Sequence, residues 1–231
     1  MQLTFDFGAS GLIGEAWRRL TAHFGPADFG PARTPIGQLV KSLISNRTYD
    51  AVSLGAYERL TEALSWSAIA GAPVGRIEAL IADVEFADAK ARHLKAAMQQ
   101  VEAAHADFDL AFLGALPEDE ALEWLQRLPG VGPKVAASVL NFSTLGRPAF
   151  VIDTHVARIL RRLGVIGPRT TAAAAHGQVI GALARWSPPE LTELHVQMKR
   201  LGQAICRPQR PHCGVCPISA TCRRSGVGEE A

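Results

Sequence analysis

Apolar residues recur at helical spacing along most of this chain, and glycine or proline breaks most of the gaps between the periodic stretches. The pattern predicts helices near 11–23, 34–45, 50–64, 73–83, 88–105, 117–127, 133–145, 154–163, 170–185 and 189–205. Gly25-Pro26, Gly71-Ala72-Pro73, Gly146-Arg147-Pro148 and Ser187-Pro188-Pro189 mark the interruptions. Only Leu3–Phe7 alternates as a strand would, so the expected fold class is all-α. With 48% hydrophobic residues in 231, the chain can bury a core, and wholesale disorder is excluded. No long repeat or low-complexity linker divides it. No apolar run reaches membrane-spanning length, and the opening MQLTFDFGAS lacks a basic segment and a cleavable apolar stretch. A soluble, cytoplasmic protein is expected.

A net charge of +2 hides a strong asymmetry. Residues 1–123 carry 10 Lys/Arg and 17 Asp/Glu, whereas 124–228 carry 14 Lys/Arg and only Asp153, Glu190 and Glu193 as acids. Glu229 and Glu230 follow at the end. A basic half of this kind suits a polyanion, although a solvated basic face has the same composition.

Within the basic half, Leu128-Pro129-Gly130-Val131-Gly132-Pro133-Lys134 joins two helical patterns. The glycines permit positive φ and leave backbone N–H groups uncovered, and Pro133 suits the first position of a helix. N–H groups and the positive dipole end then point outward together, which is a phosphate site. An ordinary helix–turn–helix corner is the plainer reading. Lys134 adds chemistry. The dipole disfavours an ammonium there, and partial burial does so further. A free amine is a nucleophile able to form a Schiff base. A lysine in this position could equally contact phosphate.

Asp153 is the only acid between residues 124 and 189. It follows the apolar run Ala149-Phe150-Val151-Ile152 and precedes a helix beginning at Thr154. Aspartate is a good N-cap, and a capping carboxylate can also face a cleft, where it would stabilise positive charge or move protons. His155 beside it reads as structural.

All four cysteines fall in the last 26 residues, as Cys206-x6-Cys213-x2-Cys216-x5-Cys222. In a cytosolic chain this is a metal pattern rather than a disulfide framework, and zinc and [4Fe–4S] are both open on general spacing rules. Arg207 and Arg210, in the basic loop after Cys206, could dock on phosphates once a metal fixes its shape.

Together LPGVGPK, VIDTH and the cysteine spacing resemble the endonuclease III branch of the helix-hairpin-helix DNA glycosylases, from about residue 10 to 224. The resemblance implies a [4Fe–4S] cluster on Cys206, Cys213, Cys216 and Cys222, Lys134 as the amine nucleophile and Asp153 as the catalytic carboxylate. Two all-α lobes are implied. A six-helix barrel would span 24–146 with its helix-hairpin-helix at about 118–145, and residues 1–23 would join 147–231 in an iron–sulfur lobe. Damaged double-stranded DNA would lie between the lobes on a monomer, nucleoid-associated if the source is bacterial. Gly130, Val131 and Gly132 would grip the backbone. The implied reaction removes oxidised or saturated pyrimidines and cleaves abasic sites.

Leu43–Asp50 is similar to a family segment in which a glutamine fills the space left by the extruded base. Here Arg47 stands at that position with Asn46 beside it. A guanidinium can still donate to an orphaned base, or it can contact phosphate. Phe86 falls where the family places an apolar wedge, although Glu85 and Ala87 depart from the usual neighbours. Core packing is the alternative for Phe86. Lys199–Gln203 also departs, from a histidine-glycine-arginine run. Ser42 stands where the adenine-glycosylase branch has a catalytic glutamate, which argues against that branch. A monofunctional mismatch or other-lesion glycosylase of the same superfamily, a non-catalytic damage-binding protein and an unrelated zinc protein are the remaining alternatives.

Overall fold

The computed structural model describes residues 3–228 and, as expected, is all-α: no strand occurs among the described residues. In chain order the helices are α1 Leu3–Phe24, α2 Pro35–Ser45, α3 Asp50–Ala63, α4 Trp66–Gly71, α5 Val74–Leu80, α6 Ala87–Ala104, α7 Glu118–Gln126, α8 Pro133–Phe142, α9 Thr154–Leu163, α10 Ala172–Leu183 and α11 Pro188–Ala204. Single 3-10 turns cover Ala111–Gly114 and Cys213–Val215. Glu229 and Glu230 lie outside the described residues. Among those residues no helix is long and apolar enough to cross a membrane.

Two local expectations are corrected. Leu3–Phe7 belongs to α1 rather than to a strand. Alternation over five residues carries no weight without a neighbouring strand to pair with, and none exists among the described residues. The short α4 has too few residues to display a period. It is set by the Ser65 Oγ cap, which accepts from Ala68 N at 3.2 Å.

Other boundaries follow from caps. Thr34 Oγ1 accepts from Gly37 N at 3.3 Å and Pro35 opens α2. Ser187 and Glu190 form a capping box at α11. Gly164 ends α9 at φ +80°. The next helix starts at Ala172, two residues after the expected start at 170, because Thr171 caps it.

The chain divides into two compact units. One joins the chain up to Gly30 with the chain from Phe150 onward, and the other is Pro31–Ala149. The first boundary falls later than residue 24 because Phe24 packs on the core of the first unit and Gln197 Nε2 donates to Gly25 O at 2.7 Å. The second falls later than residue 146 because Arg147 Nη1 donates to the carbonyls of Leu113, Gly114 and Leu116, at 3.0, 2.9 and 2.7 Å.

Pro31–Ala149 contains the six helices expected there, plus α4. Its core is built from Leu39, Ile44, Leu60, Ile69, Ile77, Leu94 and Met98, all fully buried. α2 packs on α3, α6 and α8, and α6 on α4 and α5. The other unit buries Ile13, Leu20, Val156, Leu160, Leu163, Leu194 and Leu201 where α1, α9, α10 and α11 meet.

Candidate functional site

The hairpin is built as the sequence suggested, and its two glycines have different reasons. Gly130 has φ +78°, and a Cβ there would lie 2.9 Å from the His93 side chain of α6. Gly132 has φ −100° and ψ −178°, and a Cβ there would meet nothing within 4 Å. The protein's own packing does not need glycine at 132, so the open space is available to an outside group. Gly132 is also the N-cap of α8, and it has no side chain with which to cap. The positive dipole end of α8 therefore opens at this turn. Val131 is buried, and its N–H donates to Leu128 O at 3.1 Å. Its role is to seat the turn, and its side chain does not face outward.

Lys134 is the second residue of α8 and half-buried. Its charge is felt by Lys90 of α6, which the sequence reading passed over. Burial pushes the Lys90 ammonium down to about 8, the Lys134 charge pushes the same way, and Glu85 opposes them. Two lysines of one unit thus repel each other beside the hairpin.

Lys90 also organises the segment around Arg47. Its Nζ donates to Ile44 O at the end of α2 at 2.6 Å and to Thr48 Oγ1 at 2.9 Å. Thr48 Oγ1 in turn accepts from Glu85 N at 3.3 Å and donates to Asn46 O at 3.3 Å. Asn46 is the half-buried C-cap of α2. Arg47 and Phe86 both adopt left-handed backbone, at φ 54° and 58°, and the Arg47 guanidinium lies 5.6 Å from the Phe86 ring centre. Phe86 is 55% exposed, so core packing does not explain it. Tyr49, 83% exposed at the start of α3, is an aromatic that the sequence reading did not single out.

In the other unit Asp153 is the N-cap of α9, and its Oδ1 accepts from Val156 N at 2.8 Å. His155 is structural here. Its Nδ1 faces Arg158 Nη2 at 3.1 Å, and its ring packs so tightly on Gly202 that a Cβ there would come within 2.7 Å. That contact needs glycine at 202 despite the altered residues around it.

All four cysteines are free and line one pocket with Ile159, Arg162, Ile205 and Ile218. Among the described residues no three His, Cys, Asp or Glu side chains are drawn together into a closed ligand set. Burial raises Cys216 and Cys222 above the ordinary thiol value, and the neighbouring cysteines push the same way. Positive charge among them would reverse that preference.

Two arginines of α9, absent from the sequence reading, clasp this segment. Arg158 Nε donates to Cys206 O and its Nη2 to Gly202 O, both at 2.9 Å. Arg162, buried, donates to Cys206 Sγ at 3.1 Å, Arg207 O at 2.7 Å and Pro208 O at 2.9 Å. The signal available in the sequence was an arginine inside an apolar helical face. Arg207 and Arg210 themselves are exposed, with Arg210 at φ 48°. The structure thus gathers Arg47, Asn46 and Phe86 in one unit with the hairpin and Lys134. Asp153 and the cysteines belong to the other.

Residues 40–189 match the family model of the HhH-GPD superfamily base excision DNA repair proteins. The chain belongs to this superfamily. The HhH-GPD match takes in the hairpin, Lys134, Asp153 and the Arg47 and Phe86 segments. Endonuclease III homolog 2, chloroplastic, of Arabidopsis thaliana is 34% identical over 189 residues, covering 80% of this chain and 47% of that protein. Endonuclease III of Thermotoga maritima is 38% identical over 120 residues, covering 50% of this chain and 53% of the relative. The chain therefore spans about half the length of the curated relatives it matches. A solved endonuclease III, trapped as a covalent intermediate with DNA, shares the fold at TM-score 0.75 and 23% identity, over 94% of this chain and 96% of that one. A thermostable thymine-DNA glycosylase shares it at TM-score 0.73 and 17% identity, with the same coverage.

Proposed function

We propose that this chain is a base-excision-repair DNA glycosylase with abasic-site lyase activity, acting on oxidised or saturated pyrimidines in double-stranded DNA. The observation that carries the reading is Lys134, an amine at the start of a helix with no side-chain cap, directly after a glycine turn open to a phosphate backbone. That an endonuclease III has been trapped covalently on DNA supports the same chemistry in a relative.

The damaged nucleotide leaves the stack so that its C1′ can be reached. The reacting form of Lys134 is the free amine. The Lys134 nitrogen bonds to C1′ as the glycosidic bond breaks, and the base leaves with that electron pair and a proton. Asp153 supplies the carboxylate that balances developing positive charge on the sugar and moves protons to and from the amine. The C1′–O4′ bond then breaks, the ring oxygen taking up the proton given up by the nitrogen, to leave a Schiff base, and loss of a proton from its C2′ expels the 3′ phosphate by β-elimination. Cys206, Cys213, Cys216 and Cys222 fit a [4Fe–4S] cluster: four thiols share one apolar-walled pocket, with the Arg162 guanidinium on the Cys206 sulfur. Such a cluster would fix the shape of the loop bearing Arg207 and Arg210.

The test mixes the protein with duplex DNA holding one thymine glycol or an abasic site and adds borohydride. A trapped covalent complex that vanishes in Lys134→Ala is expected. Base release without trapping would make the enzyme monofunctional, and DNA binding with neither would make it a damage-binding protein.

A further inference from the structure

We propose that the His93 side chain of α6 is a second arm of the hairpin's phosphate site, a donor that gains a full positive charge as pH falls and so makes the grip on DNA pH-dependent. This rests on the glycosylase reading above and adds a control that the hairpin backbone cannot supply.

His93 is exposed, yet its ring lies against the turn. A Cβ at Gly130 would come within 2.9 Å of His93 Cγ and 3.1 Å of His93 Nδ1. Cγ and Nδ1 are therefore the edge that faces the glycine, and Nε2 lies on the far edge of the ring. Two residues along the same turn, Gly132 has open space where a side chain would stand. A phosphate seated on the turn meets the imidazole as well as the backbone.

The ring is not engaged within the protein. Among the described residues no ion pair or side-chain hydrogen bond holds it. Of the helices packed on α6, α4 carries no charged residue, α2 carries Lys41, and α5 carries Arg76 and Glu78. On α6 itself Arg92 holds Asp88 at 2.9 Å, Lys90 stands three residues before His93 and Lys95 two residues after it. Glu85, ahead of α6, acts on Lys90. Beside the hairpin Arg127 holds Glu123 at 2.7 Å, and Lys134 follows the turn.

Histidine is the side chain whose charge changes between about pH 5 and pH 8. A neutral imidazole offers a phosphate one N–H. An imidazolium adds a unit charge, and charge-assisted hydrogen bonds are the stronger ones. A phosphate beside the ring in turn favours its charged form, so DNA binding takes up a proton at His93. Affinity therefore rises as pH falls through the histidine range and declines on the alkaline side. Backbone N–H groups and the dipole of α8 do not titrate, so this dependence separates His93 from the turn it rests on.

The experiment measures, by fluorescence anisotropy, affinity for a duplex holding a stable abasic analogue, at about pH 6 and about pH 8 and over a range of salt. The proteins are the full chain, His93→Gln and His93→Lys, each checked for folding by circular dichroism. The full chain is expected to bind about 5-fold more tightly at the lower pH, with a log affinity against log salt slope steeper by about 0.9, the mark of one more phosphate contact. His93→Gln is expected to bind alike at both, as weakly as the full chain does at the higher pH. His93→Lys is expected to keep the tight binding and the steeper slope at both. Affinity of the full chain that does not change with pH overturns the proposal. So does a pH dependence that persists in folded His93→Gln, or a folded His93→Lys that binds no better than the full chain at the higher pH. Folded full-length protein that binds no duplex at either pH overturns the glycosylase reading itself.

Discussion

Lys90 Nζ of α6 donates across 2.6 Å to the carbonyl of Ile44, closing the C-terminus of α2 with a buried ammonium. The position suits a cation, because the last carbonyls of α2 carry the negative dipole end. Desolvation nevertheless holds Lys90 near 8, below its ordinary value of 10.5. The folded protein therefore binds this proton less readily than the unfolded chain. The penalty is fully present below about pH 8 and lifts as pH rises toward the unfolded value of about 10.4. Urea midpoints measured across that window should rise with pH more in the native protein than in Lys90→Met. Parallel curves would show that Lys90 is not the group responsible.

Gly130 and Gly132 should respond oppositely to alanine. Gly130→Ala forces a side chain into left-handed backbone and against His93, for a stability loss of about 1–3 kcal/mol. His93→Ala should relieve only the steric part. Gly132→Ala meets no protein atom and should leave stability within about 0.5 kcal/mol, while its methyl blocks approach of a DNA backbone. Thermal melts beside duplex binding separate the two. Unimpaired binding by Gly132→Ala would remove the hairpin from the DNA interface.

The observed cap at Asp153 and its proposed catalytic role are separable. Asparagine caps a helix as well as aspartate does, so Asp153→Asn should hold stability within about 0.5 kcal/mol yet lose base release. Asp153→Ala should lose the same activity and also about 1 kcal/mol of stability. Single-turnover base release and denaturant melts measure the two effects. Normal base release by Asp153→Asn would leave Asp153 as a cap alone.

Arg162 holds one sulfur and two carbonyls of the cysteine segment. Arg162→Met keeps bulk and removes the donor from these part-buried acceptors, at about 0.5–1.5 kcal/mol for each hydrogen bond lost. Purified Arg162→Met should therefore carry fewer iron atoms per chain than the native protein and lose them faster to a chelator. Native iron content with native retention would show that the arginine does not support the pocket.

Local sequence was enough for most of the helices, though not for α4 or the first turns of α1, and for the hairpin, the Asp153 cap and the grouping of cysteines. In each case the informative residues lie within a few positions of one another, where turn geometry, capping and helical periodicity act. Resemblance added the roles of Lys134 and Asp153, which spacing alone left open between phosphate contact, cap and catalyst. Tertiary structure decided what depends on distant partners. Lys90 meets Thr48 from 42 residues away, and Arg162 meets Cys206 from 44. Arg47 and Phe86 each looked like an isolated departure or match, and only the shared anchor at Thr48 brings the guanidinium onto the ring. No period or motif encodes such pairs, because hydrogen bonding and stacking are set by which surfaces the packed helices bring together.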